Sequence, residues 1–158
     1  MGGDILILVT LGTQKQQFVR LLNYIEQSKI NDRIIVQSGY TKYNSEKMEI
    51  FDFISYEKMA ELEDEADLII THGGTGSIIG PLKKGKKIIA CARKEEYGEH
   101  SDNHQEELVS IFKEEGYILE LNEHIELKDL LKKIKYFKPK KYKSNTKNFI
   151  DKLKKTID

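Results

Sequence analysis

The chain is 158 residues long, 39% hydrophobic and 33% charged, and its 26 basic and 26 acidic residues leave no net charge. That length suits one domain with a full core and argues against two. The single cysteine, Cys91, excludes an intrachain disulfide and fits a reducing compartment, and no apolar run approaches the length of a membrane span.

Residues 1–4 carry no basic n-region and the apolar run after them is too short for a secretory leader, so a cytoplasmic location is expected, with any membrane contact peripheral. The continuous apolar run at residues 5–9 has the pattern of a central parallel strand covered on both faces. Gly12 and Thr13 follow, then a helix with Phe18, Leu21, Leu22 and Ile25 on one stripe. Residues 33–37 read as a second strand, 39–47 as a polar loop, 48–53 as a short third strand and 56–65 as an acid-rich helix. A fourth strand over 68–71 leads into His72-Gly73-Gly74-Thr75-Gly76-Ser77 and the start of a helix. Pro81 lies where that helix should continue; proline removes an intrahelical bond at a cost of about 3 kcal/mol, so the helix is expected to kink or to be shorter.

Residues 86–91 are the fifth strand and 93–103 a long polar loop. An amphipathic helix over 104–115 carries Leu108, Ile111 and Phe112 and is stopped by Gly116. A sixth strand covers 117–120 and a helix 127–134; a linker with Pro139 covers 137–143. The last helix is lysine-rich and sets Phe149, Ile150, Leu153 and Ile157 on one apolar stripe. Strands alternating with helices predict an α/β fold with a Rossmann-like, doubly wound parallel sheet. The expected division is a domain over residues 1–136 followed by a basic linker and amphipathic helix over 137–158.

From residue 128 onward twelve lysines stand against Asp129, Asp151 and Asp158, a surplus of nine positive charges; because the whole chain is neutral, residues 1–127 carry the matching nine negatives. A basic tail on an acidic body suits an anionic surface or an acidic partner, although charge alone favours a solvated lysine-rich helix face. It lacks the interleaved aromatic platform that stacking on bases needs, so no nucleic-acid partner is expected.

Two stretches carry the candidate chemistry. The order strand, glycine turn, helix start at residues 68–77 presents backbone N–H groups to a phosphate. Gly73, Gly74 and Gly76 permit close approach of a ligand, while Thr75 and Ser77 add hydroxyls. The spacing is neither that of a dinucleotide fold nor of a P-loop. The loop from Arg93 to Gln105 emerges at the same carboxyl edge of the sheet. Asn103 and Gln105 can donate and accept toward sugar hydroxyls and Arg93 can neutralise a phosphate, which together suggest a nucleotide sugar. For His104 a helix-start capping or core-facing role is the rival to any ligand role. His72, His100 and His104 have no cysteine or carboxylate at ligand spacing, and no Asp-x-Asp pair occurs, so no metal is expected. Cys91 ends an apolar strand and reads as a buried structural thiol.

Gly12-Thr13, the segment 72–77, and above all Gly98-Glu99-His100 and Asn103-His104-Gln105 resemble the glycosyltransferase family 28 C-terminal domain over roughly residues 4 to 125. The resemblance is strongest to small bacterial exopolysaccharide and capsule subunits. These are similar in turn to the cytosolic subunit of the enzyme that adds the second N-acetylglucosamine to the dolichol-linked oligosaccharide. What this implies is the donor-binding half of a GT-B glycosyltransferase, with a UDP-sugar as substrate and no cofactor. A separate membrane-associated subunit would supply the acceptor side, bind a polyprenyl-diphosphate-linked saccharide, and meet the last helix of this chain. Transfer would be inverting and metal-independent, at the cytoplasmic face of the membrane.

Under that resemblance residues 73–77 hold the diphosphate, and Gly12 and Thr13 line the cleft facing the acceptor. Asn103, His104 and Gln105 read the sugar, and Arg93, Glu99 and His100 shape the loop or contact the nucleotide. Glu99 and His100 are candidate general bases, as is a residue of the partner half. The related peptidoglycan N-acetylglucosaminyltransferase holds ribose with an acidic residue shortly after the glycine turn, where this chain has Gly80, so ribose recognition must come from elsewhere. Two alternatives stay open: a non-catalytic subunit that stabilises or activates another transferase, and a nucleotide-binding regulator.

Overall fold

A computed structural model describes residues 5–143 and 147–157. Six strands, β1 (Leu6–Thr10), β2 (Arg33–Gln37), β3 (Glu49–Phe51), β4 (Leu68–His72), β5 (Lys87–Cys91) and β6 (Leu119–Glu120), pair in parallel in the order β3-β2-β1-β4-β5-β6. Six helices connect or follow them: α1 (Val19–Gln27), α2 (Tyr56–Glu65), α3 (Thr75–Lys83), α4 (His104–Glu114), α5 (Leu127–Ile134) and α6 (Lys147–Ile157). This is the Rossmann-like, doubly wound α/β sheet that the strand and helix alternation predicts. Its strand order reverses between β1 and β4, whose ends are tied by a 2.7 Å hydrogen bond from Thr10 Oγ1 to Thr71 Oγ1.

The continuous apolar runs are explained by helices on both faces of the sheet, since successive strand residues point to opposite sides. Ile7, Val9, Leu68, Ile70 and Ile89 pack with Leu21, Leu22 and Ile25 of α1 and Leu127, Leu130 and Ile134 of α5. Leu8, Ile69, Ile88 and Ala90 pack on the other side with Leu62 of α2, Ile78 and Leu82 of α3, and Leu108, Val109 and Phe112 of α4.

Three local expectations change. The edge strands are shorter than the sequence pattern, with three residues in β3 and two in β6, because each pairs on one side only. β4 extends one residue further, to His72, which pairs with Cys91. α3 continues through Pro81 to Lys83. Proline near the end of a helix forfeits one intrahelical bond, to the Ser77 carbonyl, and the buried Pro81, beside Ile78 and Leu82, is kept by packing.

The tail also differs from a free arm. Residues 137–143 contain no helix or strand, yet Phe137 and Tyr142 pack on the body and the Lys140 amide donates to the Gly116 carbonyl at 3.0 Å. Phe149 of α6 is fully buried, its ring 5.1 Å from those of Phe112 and Tyr117, and Leu153 is buried beside it. The apolar stripe expected to face a partner or membrane is therefore used, at these two residues, to dock α6 on α4; the side chains of Ile150 and Ile157 lie outside the described residues. Among the described residues no helix is long and apolar enough to cross a membrane.

Candidate functional site

In an open parallel sheet the loops leaving the carboxyl ends of two strands diverge at the point where strand order reverses, and a crevice results. Here that crevice is a cleft of about 230 Å³ between the ends of β1 and β4, whose lining includes Thr10, Gly12, Thr13, Tyr56, Glu63 and Ser77. Three of the sequence-predicted site residues, Gly12, Thr13 and Ser77, are thus brought to one cavity although 65 positions separate the first from the last. The first turn of α3 starts at the same edge. Gly74 is its N-cap and provides no side-chain hydrogen bond, which leaves the amides of Thr75, Gly76 and Ser77 as the positive end of a nine-residue helix.

The glycines have distinct reasons. His72 ends β4 with its ring, 6% exposed, wedged between the two glycine turns. A Cβ on Gly12 would come within 2.5 Å of the ring, and one on Gly74 within 2.4 Å. Gly12 also has φ +80°, which disfavours any side chain. A Cβ on Gly73 would meet Gln105 and Val109 at 2.9 Å. Only Gly76 of this set has no protein atom within 4 Å of where a side chain would begin. Three of these glycines thus answer to packing around His72 and α4, and Gly76 is the one that opens onto free space.

The loop from Arg93 to Gln105 behaves differently from the expectation of a ligand-reading loop. Arg93, expected to meet a phosphate, is fully buried. Its Nη1 donates to the carbonyls of Gln16 (2.7 Å) and Glu99 (3.0 Å), its Nη2 to that of Leu11 (2.6 Å), and its guanidinium stacks 5.0 Å from the Phe18 ring. It is a clamp between this loop and the segment after β1. Burial lowers its pKa to about 10, against the pull of Glu99, and it remains charged at neutral pH.

Glu99, a candidate base, is 3% exposed. It takes a bidentate pair of hydrogen bonds from Arg20 at 2.9 and 3.0 Å and one from the Lys94 amide at 3.0 Å. For Arg20, burial opposes the charge but the bonds to Glu99 and Tyr24 outweigh it, and its pKa is raised. Gln105, expected to read a sugar, is 4% exposed. Its Oε1 accepts from the amides of Gly73 (2.9 Å) and Arg93 (3.1 Å), and its Nε2 lies 3.1 Å from His72 Nδ1. A carboxamide with those partners staples the ends of β4 and β5, its oxygen spent on two amides and one of its two N–H groups on His72.

Of the other predicted site residues, Asn103 and His104 are exposed and His100 is half-buried. Asn103 Oδ1 accepts from the Glu95 amide (3.1 Å) and so closes the 3-10 turn at Glu95–Tyr97. His100 Nδ1 stands 3.0 Å from Asp102 Oδ1, and His104 begins α4 half exposed, its amide bonded to the same carboxylate at 3.0 Å. That backbone bond is the main cause of a lowered Asp102 pKa. Cys91 is a buried thiol pushed up to about 12 by desolvation, in keeping with a structural role. Among the described residues no group of three or more His, Cys, Asp and Glu side chains is arranged to hold a metal ion.

The sequence reading missed Phe53, Tyr56 and Glu63, which form the far wall of the cleft. A signal existed: the loop after β3 reaches the same sheet edge, and Ser55, whose hydroxyl caps the Lys58 amide at 3.1 Å, marks a helix starting there. Glu63 is the only carboxylate among the residues lining the cleft, lies 3.8 Å from where a Cβ of Gly80 would stand, and pairs with Lys84 at 3.4 Å. Arg20 was missed without any local signal, its partner being 79 positions away.

Comparisons with known proteins agree with this architecture. The solution structure of ALG13 superposes with a TM-score of 0.60 over 96% of each chain at 22% identity, and the calicheamicin glycosyltransferase CalG4 with 0.59 over 96% of this chain and 38% of that one at 14% identity. These likenesses establish the fold, that of one half of a GT-B glycosyltransferase. The chain is also 38% identical over 68 residues to the UDP-N-acetylglucosamine transferase subunit ALG13 of Saccharomyces cerevisiae, covering 43% of this chain and 31% of that protein. With the Candida glabrata protein of the same name the identity is 37% over 93 residues, 56% of this chain and 43% of that one. The match spans less than half the length of these curated relatives. The model of the glycosyltransferase family 28 C-terminal domain matches residues 6–158, and the chain belongs to that family.

Proposed function

We propose that the chain is the donor-binding half of a two-part glycosyltransferase that takes its sugar from a UDP-sugar. The observation that carries this is the cleft at the strand-order reversal, where the uncapped first turn of α3, the Ser77 hydroxyl and the Gly12-Thr13 turn converge. Three uncapped amides and a helix N-terminus suit a diphosphate without recourse to a cation. Glu63 is placed to take ribose hydroxyls in the stead of an acidic residue at position 80, since a carboxylate accepts from both members of a diol. Tyr56 and Phe53 offer faces for a base.

The acceptor is a polyprenyl-diphosphate-linked saccharide, presented at the cytoplasmic membrane face by a membrane-associated second subunit, as in exopolysaccharide or capsule assembly. Support for a second subunit comes from the word "subunit" in the relatives' names and from the 38% share that this fold occupies in a complete GT-B chain. With Glu99 bonded to Arg20, the general base is His100 or a residue of that partner. The transfer is inverting and needs no metal, and no other cofactor takes part.

The test is calorimetric titration with UDP, UDP-galactose, UDP-glucose and UDP-N-acetylglucosamine, with and without magnesium, on the chain alone and co-expressed with its partner. Tighter binding of one UDP-sugar than of UDP, unchanged by magnesium, is expected. No binding by either preparation overturns the reading in favour of a non-catalytic subunit, and equal binding of all four favours a nucleotide-binding regulator.

A further inference from the structure

His72 is a buried, neutral imidazole with one nitrogen toward Gln105 and the other toward the cleft-lining Ser77. The hydrogen-bond directions along this row follow from valence alone. Gln105 Oε1 accepts from two backbone amides, so the carboxamide cannot be turned around, and the atom facing His72 Nδ1 is an NH2 group. An NH2 group only donates; Nδ1 must therefore be the unprotonated nitrogen, and the ring proton sits on Nε2. Nε2 lies 3.0 Å from Ser77 Oγ, so the ring donates and the serine oxygen accepts.

We infer that Gln105 and His72 are positioning residues, a relay that commits the Ser77 hydroxyl to donate its own proton into the cleft. A serine free to rotate divides its time between donating and accepting. One whose lone pair is engaged from behind presents its O–H forward, the polarity an anionic oxygen requires. Burial, together with the positive charge of Arg93, holds His72 down at about 4, so the ring stays neutral under ordinary conditions and keeps a single tautomer. The glycines at 12 and 74 leave room for the ring in this orientation. Gln105 thereby acts on a bound donor through Ser77, from behind the site.

The inference rests on the donor-binding reading for its ligand, but its first test does not. Nitrogen-15 NMR of the ring in the full chain at neutral pH is expected to report the Nε2–H tautomer of His72; an Nδ1–H tautomer or an imidazolium overturns the relay. Calorimetry with UDP supplies the second test. Ser77→Ala is expected to weaken UDP about tenfold, the loss of one hydrogen bond to a charged oxygen.

His72→Gln, which keeps an amide donor toward Ser77, is expected to stay within about twofold of the parent. His72→Met, which keeps bulk and loses the donor, should weaken UDP about fivefold when Ser77 is present and by less than twofold in Ser77→Ala. Equal losses for His72→Met in both backgrounds, or no advantage of Gln over Met, mean that His72 only fills space and overturn the relay. Absence of UDP binding by the parent chain, with or without its partner, overturns the donor-binding reading and leaves the tautomer result standing.

Discussion

The glycine turn after β4 and the loop after β5 leave the same edge of the same sheet and are both rich in polar residues, yet they do opposite work. In the turn, Gly76 and Ser77 face open space and the amides of α3 are uncapped. In the loop, Arg93, Glu99 and Gln105 are all less than 5% exposed and spend their hydrogen bonds on carbonyls, amides and Arg20. Polar composition near a site thus does not say which groups meet a ligand. A long loop that crosses a sheet edge needs partners for its own backbone, and its arginine, glutamate and glutamine are spent there.

The comparison is open to direct attack. Its largest expected break is Arg93→Ala, which strands three carbonyls and should cost roughly 4 kcal/mol in urea unfolding; Arg93→Lys, lacking the planar fork, should recover less than half. Phe149→Ala, which empties the aromatic cluster supporting α4 and so the loop end at Gln105, should cost about 3 to 4 kcal/mol. If it costs under about 1 kcal/mol, α6 is not part of the folded body.

Acid should act through His72. The unfolded imidazole takes up its proton near 6.5 and the folded one only near 4, so between these values the unfolded chain binds more protons. The stabilisation is complete above the upper value and is lost toward the lower one, on the order of 3 kcal/mol. Unfolding midpoints followed from pH 7 to 4 should fall accordingly, and less steeply in His72→Gln. The smallest effect on the fold is expected from Gly76→Glu. A carboxylate in the first turn of α3 replaces a poor helix former and should raise stability by up to about 1 kcal/mol. The same charge should weaken UDP more than tenfold in calorimetry, a separation of binding from folding that no substitution at Arg93 should produce.

Most of the fold was legible in the chain because its signals are local. Helices 56–65 and 127–134 have the bounds their apolar spacing predicts, and the unbroken runs before Gly12 and His72 announce strands covered on both faces. Of the site, the glycine turn was legible for the same reason, as strand, glycine and helix start adjoin in sequence. The loop roles were not. Nothing within a few residues of Glu99 reveals Arg20, nothing near Arg93 reveals the Leu11 carbonyl, and Phe53, Tyr56 and Glu63 become neighbours of Ser77 only when α2 is laid against the sheet.

The sequence by itself therefore determined the alternation of strands and helices and the glycine turn between a strand and a helix start, since periodicity and glycine spacing are read over a turn or two of chain, while the family followed from the resemblance of its motifs. Tertiary structure alone decided which polar groups are spent and which are free. Whether a guanidinium or a carboxamide meets a ligand or a carbonyl depends on what long-range packing brings within 3 Å of it, and in this chain that packing closes over Arg93, Glu99 and Gln105 and leaves Ser77 and Gly76 open.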